Sequence, residues 1–559
     1  IDKGSVASFA IITACCESRN DAIEIAQKYK SAANITRAFD MAFSRSQVEN
    51  KYLGISVKEE EAAYEILANL LYILPQRKIL EEYISANLLG QESLWSLGIS
   101  GDNPIVTLRV HSEDGLEILK SLLKIHELWR IKSKSVDLVI ISEHEGSYTR
   151  PLMTAIYEMV AISHIRELIG VSGGVFILDA SVLSPDIKNL LLAASRVVIN
   201  SNMGEILAQL GCNEPENTIP YTSFSKREYE SKKTELGEVS FFNGFGGFSG
   251  CEYRIIQDEK TITPLTWCNV IANKNFGFVI SESGGGYTWR HNSRDNKLTP
   301  WTNDAVPDTR HELVYFRDNE CGKIWKSFSS QYIARHGIGY TVFESDNNEI
   351  QSRQTVFVPE NSNVKLNIIE LKNTADIERS INLYYYVNPV LGVYEYKSKP
   401  FIEVSFKNGG IAAKNSFNTE YPGQILYVNA SEKITSFTCD KREFFGKSRL
   451  TQMPNGLLRD GFSNKTGVGF DACIAILCKI SLLPNESKSV VFTLGTENKN
   501  YDANNAYSLL EDTKSAWSRR VGTIKINTPD ASMNLMVNSW LLYQTISCRL
   551  YARAAFYQC

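Results

Sequence analysis

The sequence has little of what usually marks a catalytic or binding chemistry. It has 11 cysteines but no CxxC pair; Cys473 and Cys478 are five apart, and Cys15 and Cys16 are adjacent. It has seven histidines, and none forms HxH, HxxxH or a Cys/His cluster. A compact metal site therefore has no signature here, no cofactor is expected, and the thiols read as reduced, as in a cytoplasmic setting. No apolar run approaches the ~20 residues of a membrane span. LVIISEH and GVFILDASVL are of strand length. The net charge is −4, which offers no basic field to nucleic acid or anionic lipid. No GxSxG nucleophile elbow, set on a strand-to-helix turn, is recognised, and Ser283 has no patterned partner His.

What is present is an ordinary globular composition, 43% hydrophobic and 22% charged. At ~100–200 residues per domain, 559 residues imply three or four cores. SVASFAIITA (5–14) alternates and predicts a strand. ESRNDAIEIAQKYK and TRAFDMAFSRSQVENKYLGI predict helices. VKEEEAAYEILANLLYIL (57–74) predicts a helix with Ala63, Ile66, Leu67 and Leu70 on its apolar face, stopped by Pro75. Residues 104–201 alternate strands and helices. The strands are continuously apolar, and Ser184 before Pro185 is a helix N-cap, so a small parallel α/β layer is expected. The GISGD turn (98–102) precedes a strand, so it is not a phosphate-cradling loop.

Residues 213–239 are polar and charged and read as a linker. From FFNGFGGFSG onward, short alternating runs recur about every ten residues between Asn, Gly, Pro and Asp turns. They include EYRIIQ, KLNIIEL, SINLYYYV, CIAILCKISL and SVVFTLG, and they predict a large antiparallel sandwich. AYSLLEDTKSAWSRR (506–520) then predicts an amphipathic helix. Residues 531–558 predict one that is apolar around most of its circumference.

One stretch, SESGGGYTWRHNSRDNKLTPWTND (281–304), combines three glycines, three aromatics and many polar groups. Aromatic faces pack on the C–H faces of sugar rings, while amides, guanidinium and carboxylate bond hydroxyls. Tyr287, Trp289, Asn292, Arg294, Trp301, Asn303 and Asp304 supply that set. The competing reading is a glycine turn with tryptophans in the core. Glu282, Asp295, Asp304, Asp308 and Glu312 are the carboxylates from which an acid or base could be drawn. His291, His311 and His336 read as surface or hydrogen-bonded residues. Arg549 and Arg553 fall on one face of the last predicted helix, facing either a phosphate anion or neighbouring carboxylates.

FFNGFGGFSG, WCNVIANKNFGFVISESGGGYTW, NSRDNKLTPWTND and ARHGIGYTVFE resemble the N-terminal β-sandwich of glycoside hydrolase family 94, formerly glycosyltransferase family 36. MNLMVNSWLLYQTISCRLYARAAFYQ resembles the first helix of that family's (α/α)6 barrel. RAFDMAFSRSQVENKYLGI, GQESLWSLGISGDNPIVTLRV and the HELWRIKSKSVDLVII run resemble the region ahead of the sandwich in cyclic β-1,2-glucan synthases and 1,2-β-oligoglucan phosphorylases.

The resemblance implies a multidomain α+β chain: a helical and small α/β N-terminal region, a β-supersandwich, and the first helix of a truncated barrel. The expected divisions are 1–14, the end of a preceding sandwich; 15–103, helical; 104–212, the α/β layer; 213–238, linker; 239–500, supersandwich; and 501–559, linker helix and first catalytic helix. It further implies an inverting phosphorolysis with inorganic phosphate as co-substrate, a β-glucan oligosaccharide as substrate, and a homodimer formed through the sandwich. The parent is expected to be longer, membrane-anchored if it is a synthase. The catalytic acid is expected in the barrel, so no catalytic residue is assigned. Arg294, Trp301, Asn303, Asp304, Tyr287 and Trp289 are the substrate-proximal candidates, and Arg549 and Arg553 the phosphate-contact candidates.

Overall fold

The computed structural model describes residues 3–143, 150–210, 219–224, 228–258, 261–302, 304, 310–447 and 451–554. It divides into two compact units. The first comprises residues 1–70, 102–182 and 196–211. Its sheet has four strands in the spatial order Val175–Asp179, Asp137–Ser142, Ile105–Val110, Ser195–Asn200. The first three run parallel, as expected of apolar strands joined by helical crossovers. Helix Leu116–Ile131 buries Leu119, Leu122, Ile125 and Trp129 against Val106, Leu108, Leu138 and Ile140. Helix Val57–Leu71 adds Ala63, Ile66 and Leu70 to the same core, three residues of its predicted face. The Trp129 indole donates to the Ala63 carbonyl at 3.0 Å, so the deepest aromatic of this core leaves no polar atom unpaired.

The second unit comprises residues 71–101, 183–195 and 212–559. Helix Pro185–Ala194 belongs to it, and Ser184 caps the helix by accepting from the Ile187 amide. The helix ends on a buried arginine. Arg77 donates to the carbonyls of Ala193 (2.7 Å) and Ser195, which the last turn of a helix leaves without internal donors.

The bulk of this unit is the sandwich. One antiparallel sheet has ten strands, from Ile402–Lys407 at one edge to Gly246–Ser249 at the other. A five-stranded antiparallel sheet packs on it, with order Ile324–Lys326, Glu312–Asp318, Arg379–Val387, Ala472–Leu482, Ile434–Asp440. A third sheet, of strands Cys268–Ala272, Phe276–Ser281 and Gly286–Arg290, carries the glycine-rich turn. Tyr385 and Phe492, from the two large sheets, stack at 5.0 Å in the shared core. Arg379 and Asp318 form a fully buried ion pair, and Tyr229 covers the guanidinium at 3.5 Å. Tyr229 lies in the stretch expected as linker, which is therefore held on the sandwich at that point.

Helix Ala503–Val521 packs Ala506 and Leu510 on the ten-stranded sheet. A final helix begins at Asp530, whose carboxylate accepts from the amides of Ser532 and Met533. It runs to Tyr551, with π-helical turns at Met536–Trp540 and Thr545–Tyr551.

Two expectations change. Residues 5–14 alternate like a strand but are exposed and pair with no strand among the described residues; alternation fixes a face, whereas a strand also needs a partner's ladder. The last helix does not reach 558: it ends at Tyr551, so Arg553 lies past its end, not on a shared helical face with Arg549.

Candidate functional site

The segment 281–304 folds as a strand followed by a tethered loop. Its turn requires glycine. At Gly286 φ is +139°, and a Cβ there would stand 2.0 Å from the Val279 carbonyl oxygen. From this turn the strand Gly286–Arg290 alternates its side chains between two faces. Thr288 is buried, and its hydroxyl donates to Glu312 at 2.6 Å. Trp289 is also buried, at 1% exposure, with its ring against Gly277. Trp289 is thus a packing residue, because no face of the ring is left for a ligand. Tyr287 sits between Trp289 (5.3 Å) and Trp301 (5.0 Å), and burial pushes its hydroxyl up to about 12. Trp301 remains half-buried.

Beyond Arg290 the chain leaves the sheet. His291 adopts a positive φ of 59°. The Asn292 carboxamide oxygen accepts from the amides of Arg294 and Asp295, both at 2.9 Å, closing an Asx turn. The turn is fastened to the end of the last helix. Asn292 Nδ2 donates to the Ala554 carbonyl at 3.1 Å, and Ser293 Oγ to that of Ala552 at 2.5 Å. Further along, Asn296 and Gln424 exchange a reciprocal pair of amide bonds at 2.9 and 2.7 Å. Thr299 Oγ1 donates to Glu312 at 3.0 Å.

Glu312 is therefore the bolt under both halves. Burial acts to raise its pKa, but the Lys365 ammonium at 2.8 Å and the two threonine hydroxyls outweigh that and hold it below the ordinary value. It is an ionised structural carboxylate. Glu282 is likewise occupied, by Thr263 Oγ1 (2.6 Å) and the Trp267 amide (2.7 Å). Asp295 accepts from Asn292 Nδ2 at 3.0 Å. His311 and His336 are buried and pushed down to about 4, neutral at pH 7. None of these groups stands open as a proton donor.

The exposed members are His291, Arg294, which lies 3.8 Å from Asp295, and Asp304. Asn303 and Asp308 lie outside the described residues. Arg549, on the last helix, and Arg553, just past it, are exposed on the segment that Asn292 and Ser293 grip. The structure thus brings the loop and the end of this helix together. It separates Trp289, and the inner part of Tyr287, from the exposed candidates.

The helix is also held from its other side. The Tyr543 hydroxyl lies 2.8 Å from Asn269 Oδ1, and Asn269 Nδ2 donates to the Gly337 and Tyr340 carbonyls. Ser293, Asn269 and Tyr543 were not among the sequence candidates. The Asn-Ser pair of NSRD is a turn signal that could have pointed to Ser293; nothing local marks the other two.

In the first unit a literal G-x-S-x-G occurs at Gly170–Gly174, which pattern alone would not reject. It leads into strand Val175–Asp179 instead of leaving one, and Ser172 Oγ accepts from Asn103 Nδ2 at 2.9 Å, so it is no nucleophile elbow. No group of three metal-ligating side chains occurs among the described residues, and no described helix is long and apolar enough to cross a membrane.

Residues 251–514 match the glycosyl hydrolase 94 supersandwich domain, and residues 516–559 match the catalytic domain of the glycosyl hydrolase 94 superfamily. The whole chain aligns at 29% identity with the cyclic beta-(1,2)-glucan synthase NdvB of Rhizobium meliloti (strain 1021), of which it covers 21%. Over 54% of its length it aligns at 24% identity with the N,N'-diacetylchitobiose phosphorylase of Vibrio furnissii, covering 40% of that protein. A 3-O-beta-D-glucopyranosyl-beta-D-glucuronide phosphorylase of Paenibacillus borealis aligns at 25% over 54% of the chain and 41% of its own length. The chain spans about a fifth of the synthase and two fifths of the phosphorylases.

Proposed function

From the premise that residues 251–559 belong to glycosyl hydrolase family 94, we propose that this chain is part of a β-1,2-glucan phosphorylase or synthase that produces or uses glucose 1-phosphate. The observation that carries the linkage is the extent of the alignments. The phosphorylases match about half of the chain, whereas the synthase alignment runs through the whole of it. The family's relatives are carbohydrate phosphorylases and a glucan synthase, and phosphate is the co-substrate that phosphorolysis needs.

In such a reaction one carboxylic acid protonates the leaving glycosidic oxygen, and phosphate takes the place of the attacking water on the opposite face. The carboxylates at 282, 295 and 312 are engaged in the fold, which supports an acid supplied by the catalytic domain, as the family resemblance implies. This chain's part is to bind and position. Arg294, Trp301 and Asp304 face the substrate from a loop anchored on the first catalytic helix, Asn303 joins them as a candidate from the sequence, and Arg549 and Arg553 are the phosphate-contact candidates beside that anchor. The sandwich also supplies a dimer surface, and the region works on the cytoplasmic side.

The test is glucose 1-phosphate formation by the full-length protein from β-1,2-gluco-oligosaccharides and inorganic phosphate. Phosphate-dependent product supports the reading, and its absence with every β-glucan overturns it. A second reading has the synthase's span in its favour: a non-catalytic or chain-length-controlling region of a membrane-anchored cyclic glucan synthase. Altered glucan chain length on deleting residues 239–500, with no phosphorolysis in the intact protein, would support that one.

A further inference from the structure

A second groove lies where the last helix crosses the edge of the ten-stranded sheet; its Trp267 wall is bonded to Glu282, but its described lining includes no residue of 281–304. Its walls are Phe248 from the edge strand Gly246–Ser249, Tyr253 from the neighbouring strand Glu252–Gln257, Trp267 from the segment before the third sheet, and Trp540 from the helix. Its cavity volume is about 290 Å³, at the lower end of the ~300–1,000 Å³ of small-molecule clefts. The rings are fixed in a mutual lattice. Phe248 meets Tyr253 edge-on at 4.8 Å and Trp540 at 6.1 Å, and Tyr253 lies 5.9 Å from Trp267. The Trp540 indole donates to the Cys251 carbonyl at 2.9 Å, which sets the orientation of its ring.

The polar atoms at this groove are uncharged. Asn243 Nδ2 donates to the Tyr253 hydroxyl at 2.9 Å, leaving the phenol proton to be donated outward. Gln544, exposed at the rim, carries an amide donor and acceptor. His336 has its ring nitrogens 2.9 Å from Thr341 Oγ1 and 3.2 Å from the Trp267 carbonyl, so it closes the floor and does not face a ligand. Among the described residues, no Asp, Glu, Lys or Arg lines the groove. An anion such as a sugar phosphate finds no counter-charge there. A peptide segment finds a single aliphatic side chain, Met536, and no edge of charged partners. A neutral pyranose offers what the site complements: flat C–H faces for the partly exposed Phe248, Tyr253 and Trp267 rings, which the buried Trp540 backs, and hydroxyls for a phenol and an amide.

We infer that the groove between Tyr253, Trp267 and Trp540 is a non-catalytic subsite for a neutral gluco-oligosaccharide, separate from the 281–304 loop. The subsite holds a stretch of glucan on the sandwich while another stretch is processed. The inference rests on the carbohydrate reading above, but not on its linkage or on phosphorolysis.

The experiment is calorimetric titration of this 559-residue chain with β-1,2-, β-1,3- and β-1,4-gluco-oligosaccharides, and with glucose 1-phosphate. Saturable binding of a neutral oligosaccharide is expected, with glucose 1-phosphate weaker. Gln544→Ala and Tyr253→Phe, neither of which removes a buried ring, are each expected to weaken binding by ~2–10-fold, the effect of one lost hydrogen bond. Lys407→Ala, exposed at the opposite edge of the ten-stranded sheet, leaves the affinity unchanged. The inference is overturned if no neutral oligosaccharide binds saturably, if both groove variants bind like the wild type, or if glucose 1-phosphate binds best. It is also overturned if the full-length protein no longer binds there, because further polypeptide then fills the groove. Product formation with no groove binding sinks this inference alone; groove binding with no product sinks the phosphorolysis reading alone.

Discussion

The inner half of the aromatic segment, residues 281–290, and its outer half, residues 291–304, have the residue types of a sugar site in common and little else. The inner half is a strand covered on both faces, with Thr288 buried on one and Trp289 on the other, and its tyrosine is squeezed between two indoles. The outer half is a loop tied down at Asn292, Ser293, Asn296 and Thr299, which leaves Arg294 exposed between the ties and Asp304 exposed beyond them. Aromatic, amide and charged residues thus mean packing in one place and accessibility in the next. Register in the sheet decides which.

The largest expected effect breaks the inner half. Trp289→Ala is expected to cost about 3–5 kcal/mol of stability, the usual range for emptying a buried indole site, read as a shift in the denaturant midpoint. Glu312→Gln comes next, because it leaves the Lys365 charge buried without its partner; a loss of about 3 kcal/mol is expected. Glu312 also gives the segment a pH signature. Its folded pKa lies below the unfolded value near 4.5, so its stabilisation is present above that pH. It is lost as pH falls through the folded pKa, and acid titration of wild type against Glu312→Gln should show the limb flattened in the variant.

Asn292→Ala tests the anchor of the outer half. The turn and one tie to the last helix are removed, for about 1–2 kcal/mol. Faster hydrogen exchange at the Arg294 and Asp295 amides is expected, with exchange in strand Phe276–Ser281 unchanged. Equal acceleration in both would mean that the halves are one cooperative piece. The smallest effect on stability belongs to Arg294→Ala, within about 0.5 kcal/mol of wild type, as for an exposed side chain.

Much of the fold was legible because period and turn chemistry are local. The run SINLYYYV is the strand Arg379–Val387, Ser184 does cap its helix, and Ala63, Ile66 and Leu70 do face the core. What escaped reading depends on partners distant in sequence. Arg77 finds its carbonyls more than a hundred residues away, and Asn269 finds Tyr543 after 274. Residues 5–14 show the converse: a good local pattern without a ladder. In the candidate site, composition named the segment, but it could not separate Trp289 from Trp301, because both indoles suit a core and a sugar equally. Nor could it foresee that the helix stops at Tyr551 and takes Arg553 off the shared face.

The most direct test of the account is kcat/KM for phosphorolysis of β-1,2-gluco-oligosaccharides by the full-length protein, wild type against Arg294→Ala, with unfolding midpoints measured on the same samples. The account predicts phosphate-dependent glucose 1-phosphate from the wild type and a drop of about tenfold in the variant, near 1.4 kcal/mol of transition-state binding, at an unchanged midpoint. Equal activity in the two proteins, or a drop that merely follows lost stability, would contradict a substrate-facing outer half.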